Sequence, residues 1–239
     1  SSDLGDFDKG GTGLILILDS QSRLDLFGNR LTNTIRIENQ GHISCSNSTV
    51  RENSYLWDNK TTTGSSGVLG GSGYYRFGNV SSIETDKDFG LIKTSGQITD
   101  LEISGIYNVD GNSAKTIGDD AYIVGVNTSS SSDGQAMTIS GSLTIEAKQG
   151  TGIGILANQL GSDDVSLKND YSGQIYVTAK DAFGVKVGKN AAKDPSAAGD
   201  IYSLSVGGLD INNTITSGST QGEATGIYAK SVKREIGRA

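Results

Sequence analysis

The sequence predicts an all-β fold, a parallel β-solenoid (β-helix) of about three short strands per turn, right-handed by the chirality of parallel crossovers. Two observations carry this: a pair of interleaved repeats, and period-two alternation within each of them. The first repeat reads Ala121-Tyr-Ile-Val-Gly-Val, Gly152-Ile-Gly-Ile-Leu-Ala, Ala182-Phe-Gly-Val-Lys-Val and Ala224-Thr-Gly-Ile-Tyr-Ala, with starts 31, 30 and 42 residues apart. The second lies between its copies: Ser140-Gly-Ser-Leu-Thr-Ile-Glu-Ala, Ser172-Gly-Gln-Ile-Tyr-Val-Thr-Ala and Val206-Gly-Gly-Leu-Asp-Ile-Asn-Asn. Two strings sharing one period mark a stacked repeat, in which no turn buries its apolar face alone.

Taken from the N-terminus, residues 1–87 are the less regular part and read as a cap with irregular first turns. Strands are expected at 13–19, 24–27 and 34–38. Residues 54–78 carry Trp57, Tyr74, Tyr75 and Phe77 amid Gly, Ser and Thr. A cap at 1–30 is the expected device, because an open solenoid end exposes strand edges. From residue 88 to 239 the turns are regular. Asp88-Phe-Gly-Leu-Ile-Lys is an early copy of the first string, and Ser95-Gly-Gln-Ile-Thr of the second.

Alternation assigns the faces. The first string predicts Tyr122, Val124, Val126, Ile153, Ile155, Ala157, Phe183, Val185, Val187, Thr225, Ile227 and Ala229 inward. The second predicts Leu143, Ile145, Ala147, Ile175, Val177, Ala179, Leu209 and Ile211 inward. Thr144, Glu146, Tyr176, Thr178 and Lys186 then face out. A third short strand precedes the second string, at 165–168 and 202–206. Asn127 and Asn158 are candidates for one corner, and glycines supply others.

Composition excludes several function classes. Glycine is 34 of 239 residues, with one Pro, one Cys, one Met and one His. Cys45 cannot form a disulfide within this chain, and one His with one Cys cannot supply the usual zinc ligand set. The formal net charge of −7 argues against a nucleic-acid groove. The apolar run at 14–18 is too short for a transmembrane helix. Steady alternation of Val, Ile and Leu argues against disorder. The chain begins at Ser1 without Met or signal peptide, which reads as a processed or trimmed chain.

The segments at 152–157, 172–179, 182–187 and 224–229 resemble the passenger domains of bacterial autotransporters and related surface adhesins. The resemblance covers roughly residues 120–230 well and the first third poorly. It implies a β-helix exported through the outer membrane and exposed there, usually followed by a C-terminal β-barrel. That makes this chain a passenger or part of one. It names no ligand.

Candidate chemistry is sparse. Some right-handed β-helices are polysaccharide lyases or hydrolases, and such work needs carboxylates at controlled separation. Asp119, Asp120, Asp163, Asp164 and Asp181 are the candidates for that alternative, although Asp pairs are also favoured in turns. The Gly-His-Gly and Arg-x-Lys of polygalacturonases are missing. Gly70-Gly71-Ser72-Gly73-Tyr74-Tyr75 approaches a calcium repeat, but tyrosine stands where the ligand Asp belongs. Asp6 to Ile17 approaches an EF-hand loop whose last position is not Glu. Both read as turns, and no cofactor or metal is expected. His42 and Cys45, three apart on a strand, face opposite ways. Sequons at Asn47, Asn59, Asn79, Asn127 and Asn212 are near the number chance supplies.

A secreted or cell-surface structural or adhesive protein without catalysis is the expectation. Trp57, Tyr74, Tyr75, Tyr176 and Tyr228 are its candidate contacts with surface glycans or proteins. At the far end, only ten residues follow the string at 224–229. Ile227, Ala229, Lys230, Lys233 and Arg234 therefore predict an assembly end, with head-to-tail self-association or continuation in a longer chain.

Overall fold

The computed structural model describes residues 15–26, 31–32, 36–46, 49–59, 65–94, 98–129, 136–162, 169–188, 198–214 and 222–233. Among these the fold is an all-β parallel solenoid without helix. Three main parallel ladders wind in fixed order, with a short one of Thr49–Val50, Ser82–Ile83 and Thr116–Ile117 between the second and third, and a further pair, Asp200–Ile201 with Ser231–Val232. Ladder I holds Ile15–Leu18, Arg36–Asn39, Ser65–Gly70, Ile98–Ile103, Ala136–Ile139 and the first residues of Asn169–Val187 and of Ser205–Asn213. Ladder II holds Arg23–Asp25, His42–Ser46, Tyr74–Gly78, Ile106–Asp110 and the matching parts of Ser142–Ala157, Asn169–Val187 and Ser205–Asn213. Ladder III holds Leu31–Thr32, Ser54–Asn59, Asp88–Thr94, Tyr122–Thr128, the later parts of Ser142–Ala157 and Asn169–Val187, and Ala224–Tyr228.

The interior is a set of columns, one residue per rung. In ladder II one column runs Leu24, Ile43, Tyr75, Tyr107, Leu143, Ile175, Leu209, and another Cys45, Phe77, Val109, Ile145, Val177, Ile211. Both match the alternation of the second string. Tyr75 and Tyr107 stack at 4.5 Å between centroids, and Phe77 meets Phe89 of ladder III edge-on at 5.3 Å. Each buried hydroxyl finds a backbone acceptor: Tyr107 donates to Ser104 O (2.7 Å) and Tyr75 to Gly70 O (3.3 Å). Such pairing is what lets a tyrosine occupy a core.

Glycine builds the corner between ladders I and II. Gly41, Gly73 and Gly105 lie one above another, and the residue after the next glycine up donates to each carbonyl: Tyr74 to Gly41 (2.8 Å), Ile106 to Gly73 (3.0 Å), Ser142 to Gly105 (2.9 Å). A Cβ at Gly141 or Gly173 would run into the carbonyl of the glycine beneath. Backbone crowding, not turn preference alone, therefore reserves this column for glycine.

Three assignments from the sequence need correction. Ladder pairing crosses residue 87 without a break, so strands at 54–59 and 74–78 lie in the same columns as later turns. The strand that includes part of Ser95-Gly-Gln-Ile-Thr, Ile98–Ile103, belongs to ladder I; the earlier copies of the second string are 73–77 and 105–109. Asn127 is no corner. It is buried inside Tyr122–Thr128 and donates to Tyr55 Oη at 2.7 Å. Among the described residues the left-handed non-glycine positions are Asn79, Asp86 and Asp120.

The fourth difference concerns the inward set of ladder III. Two consecutive residues face the main core there: Leu56 with Trp57, and Leu91 with Ile92. In later rungs the first of the two is Gly125, Gly154 or Gly184, where a Cβ would meet interior leucine or isoleucine methyls. This doubled inward position, shared by every rung with no shift of register, reverses the phase of alternation. Ile155, Val185 and Ile227 remain inward in one column, as expected, and the register sets Val126 beneath them where the repeat alignment had set Val124. Tyr122, Val124, Ile153 and Phe183 instead face out, in a second apolar cluster with Tyr55 and Leu156.

Candidate functional site

Of the five aromatics expected to meet a ligand, two cannot. Trp57 and Tyr75 point into the core and are fully buried. Tyr228 is half-buried and packs edge-on against Phe183 at 6.1 Å. Tyr74 and Tyr176 are on the outer face of ladder II, 37% and 38% exposed. Sequence reasoning missed their neighbours. His42, Tyr74 and Ile106 form one outward column on successive rungs, with Ile106 42% exposed. The rings of His42 and Tyr74 stack at 5.6 Å, so each spends one face on the other. Beside them Arg76 bonds Asp110 at 2.9 Å, holding a charged margin along the column. His42 is exposed and Cys45 buried, as strand alternation requires.

The aspartates do corner work where they are described. Asp120 adopts φ 58° and Asp86, one turn earlier, φ 60°. Asp86 N donates to Asp119 O at 2.9 Å, stacking the two corners. Asp181 accepts from Glu223 N at 3.2 Å. Asp163 and Asp164 lie outside the described residues. The segment at 70–75 is the corner between ladders I and II, with Gly71 at φ 93°, and most of the stretch from Asp6 to Ile17 lies outside the described residues. Among the described residues no three His, Cys, Asp or Glu side chains gather where a metal ion could bind.

The outer face of ladder III holds a group the sequence did not flag. Lys186 does face away from the main core, but it is 1% exposed rather than solvated. Its ammonium lies 4.7 Å from the Tyr122 ring centroid and 4.9 Å from that of Phe183, and Nζ has no hydrogen-bond partner. Burial holds its pKa below the usual lysine value, opposed by the carboxylates of Glu223, Asp120, Asp181 and Asp88. Burial, with Asp120, Asp88 and Asp86 nearby, pushes the Tyr122 hydroxyl up to about 12. Cation–π attraction and surrounding negative charge thus replace the missing hydrogen bonds. No periodicity argument could find this, because the break in alternation hides which residues share the face.

At the C-terminal end, Ile227 is 40% exposed, although Val185 directly beneath it is buried. Ala229 is half-buried and Lys230 exposed. Lys233 pairs with Asp200 at 3.4 Å, and Ser231 donates to the same carboxylate at 2.8 Å. Those contacts, the serine first, hold the Asp200 pKa below the usual value. Arg234 lies outside the described residues. No helix among the described residues is long and apolar enough to cross a membrane.

Comparison of this chain with protein-family models, with curated proteins and with solved structures finds no match.

Proposed function

We propose that this chain is a non-catalytic structural or adhesive β-solenoid, secreted or displayed on a bacterial cell surface in the manner of an autotransporter passenger. The observation that carries the reading is the outward column His42, Tyr74, Ile106 on ladder II, with Tyr176 further along the same face. Exposed apolar groups on successive rungs, with a charged margin, are the composition of a contact surface. Stacking within the column uses ring faces, which favours a protein partner over sugars that would need those faces free. The aspartates at 119 and 120 serve a corner, which counts against the polysaccharide-cleaving alternative.

The test is a binding screen of the 239-residue chain against arrayed glycans and isolated cell-surface proteins. Binding to a surface protein is expected, and Tyr74→Ala combined with Ile106→Ser should weaken it about tenfold or more while leaving the circular dichroism unchanged. Turnover of a pectin-like polymer, abolished by Asp119→Asn or Asp120→Asn, would replace this reading with the enzymatic one.

A further inference from the structure

The outer face of ladder III brings a carboxylate, an amine and an amide together on three successive rungs. Register stacks Asp58, Lys93 and Asn127 in one column, each one rung, about 4.8 Å, from the next. Their neighbours Trp57, Ile92 and Val126 stack in the main core, which sets these three side chains on the outer side. Asp58 and Asn127 are buried and Lys93 is half-buried. Lys93 is thus flanked by a carboxylate on one rung and a primary amide on the other.

Tyr55 draws the group together. A Cβ at Gly90 would lie 3.0 Å from Tyr55 Cε1, so the ring lies across the glycine of the next rung. There it meets both partners. Lys93 Nζ is 5.7 Å from the ring centroid, and Asn127 Nδ2 donates to Tyr55 Oη at 2.7 Å. Burial, with Asp88 and Asp58 nearby, raises the Tyr55 pKa well above its usual value, so the hydroxyl keeps its proton.

The Asn127 amide is held as an acyl acceptor. Its Oδ1 accepts from Ser129 N at 2.9 Å and from Ser129 Oγ at 2.7 Å. Two donors on one carbonyl oxygen draw charge from Cγ and stabilise the oxyanion that forms when a nucleophile adds there. Leu156, fully buried, stacks on Asn127 from the following rung and shields that side from water. An asparagine that only shaped a turn would use the Ser129 donors alone. The lysine on the adjacent rung and the carboxylate behind it supply the other groups that acyl transfer requires.

We infer that Lys93 and Asn127 become joined by an intramolecular amide bond, with Asp58 as the general base. Lys93 Nζ gives one proton to Asp58 and attacks Asn127 Cγ. The Nζ–Cγ bond forms, the second Nζ proton passes to Nδ2, and the Cγ–Nδ2 bond breaks. The Lys93 ammonium, the Asp58 carboxylate and the Asn127 amide become the new amide, a protonated Asp58 and ammonia. The bond ties Asp88–Thr94 to Tyr122–Thr128. It rests on this column alone and is independent of the adhesive reading.

Mass spectrometry of the full chain tests it. The folded protein should be lighter than its sequence by one ammonia, about 17 Da. A tryptic digest should contain residues 88–115 joined to 116–148 through the two side chains, with no cut after Lys93. Lys93→Arg and Asn127→Ala should restore the full mass. Asp58→Asn should slow bond formation by roughly a hundredfold and so leave most of the freshly made chain at full mass, with unchanged circular dichroism. The unmodified chain decides the matter even where a variant folds poorly: full mass with free cleavage after Lys93 would overturn the proposal. A loss of ammonia that persists in Lys93→Arg is ring closure at Asn127 and would overturn it too. So would a loss of water that joins Lys93 to Asp58 instead.

Discussion

Lys186 is where a single side chain departs furthest from its sequence pattern. A lysine between Val185 and Val187 on an alternating strand reads as a solvated residue, and its replacement by Asp as harmless. In the structure its stem is buried and its ammonium rests among two rings and four carboxylates. Lys186→Asp should therefore destabilise by several kcal/mol, comparable to Val185→Asp, since it buries a carboxylate among like charges. Lys186→Met keeps the stem and removes a charge that makes no hydrogen bond; it should change stability by less than about 1.5 kcal/mol. Urea titration of the three variants separates these outcomes. The pH dependence follows from the lowered pKa. The folded state holds this proton less tightly than the unfolded chain, so the penalty is fully present below the folded pKa. It is relieved as pH rises through that value toward the ordinary lysine range. The relief should be absent from Lys186→Met, and equal alkaline profiles for the two proteins would refute the assignment.

At the scale of the element, backbone geometry sets what each strand can present. The glycine corner is a column in which each carbonyl accepts from the rung above, and a methyl at Gly173 would collide with the Gly141 carbonyl. Gly173→Ala should cost about 2–4 kcal/mol, well above the usual effect of a surface substitution. Chemical denaturation measures it, and a cost below about 0.5 kcal/mol would show that the corner yields. In ladder III a doubled inward position on every rung turns Tyr122, Val124, Ile153 and Phe183 to the outer face. Alternation was the right rule for ladder II, where no such shift interrupts the inward columns. It failed in ladder III because one extra inward residue inverts every position before it.

For the molecule as a whole, position along the axis governs energetics. Ile145 and Ile211 occupy one column, with the same chemistry and partners of the same kind. Ile145 is enclosed by rungs on both sides, whereas Ile211 lies on the last described rung of its column and is only partly buried. Ile145→Ala should cost about 3–4 kcal/mol and Ile211→Ala about half of that or less, in chemical denaturation. Equal costs would mean that the end rung is covered in the isolated chain.

The repeats alone determined the parallel solenoid, its three main strands per turn, and the interior columns of ladder II, because identical apolar residues at one spacing have a single economical stacking. They missed the short ladder at 49–50, 82–83 and 116–117. They also showed Ile155, Val185 and Ile227 as one column, but set Val124 where the structure has Val126. Tyr74 and Tyr176 as surface residues were legible in part, from aromatics at outward or glycine-rich positions. Tertiary structure alone decided that Trp57 and Tyr75 are core, that Ile106 joins Tyr74, and that Lys186 is buried. Those outcomes depend on where alternation breaks within a strand and on what lies one rung away. Sequence spacing records how far apart residues are along the chain, whereas the break in alternation and the neighbouring rung decide what each side chain meets.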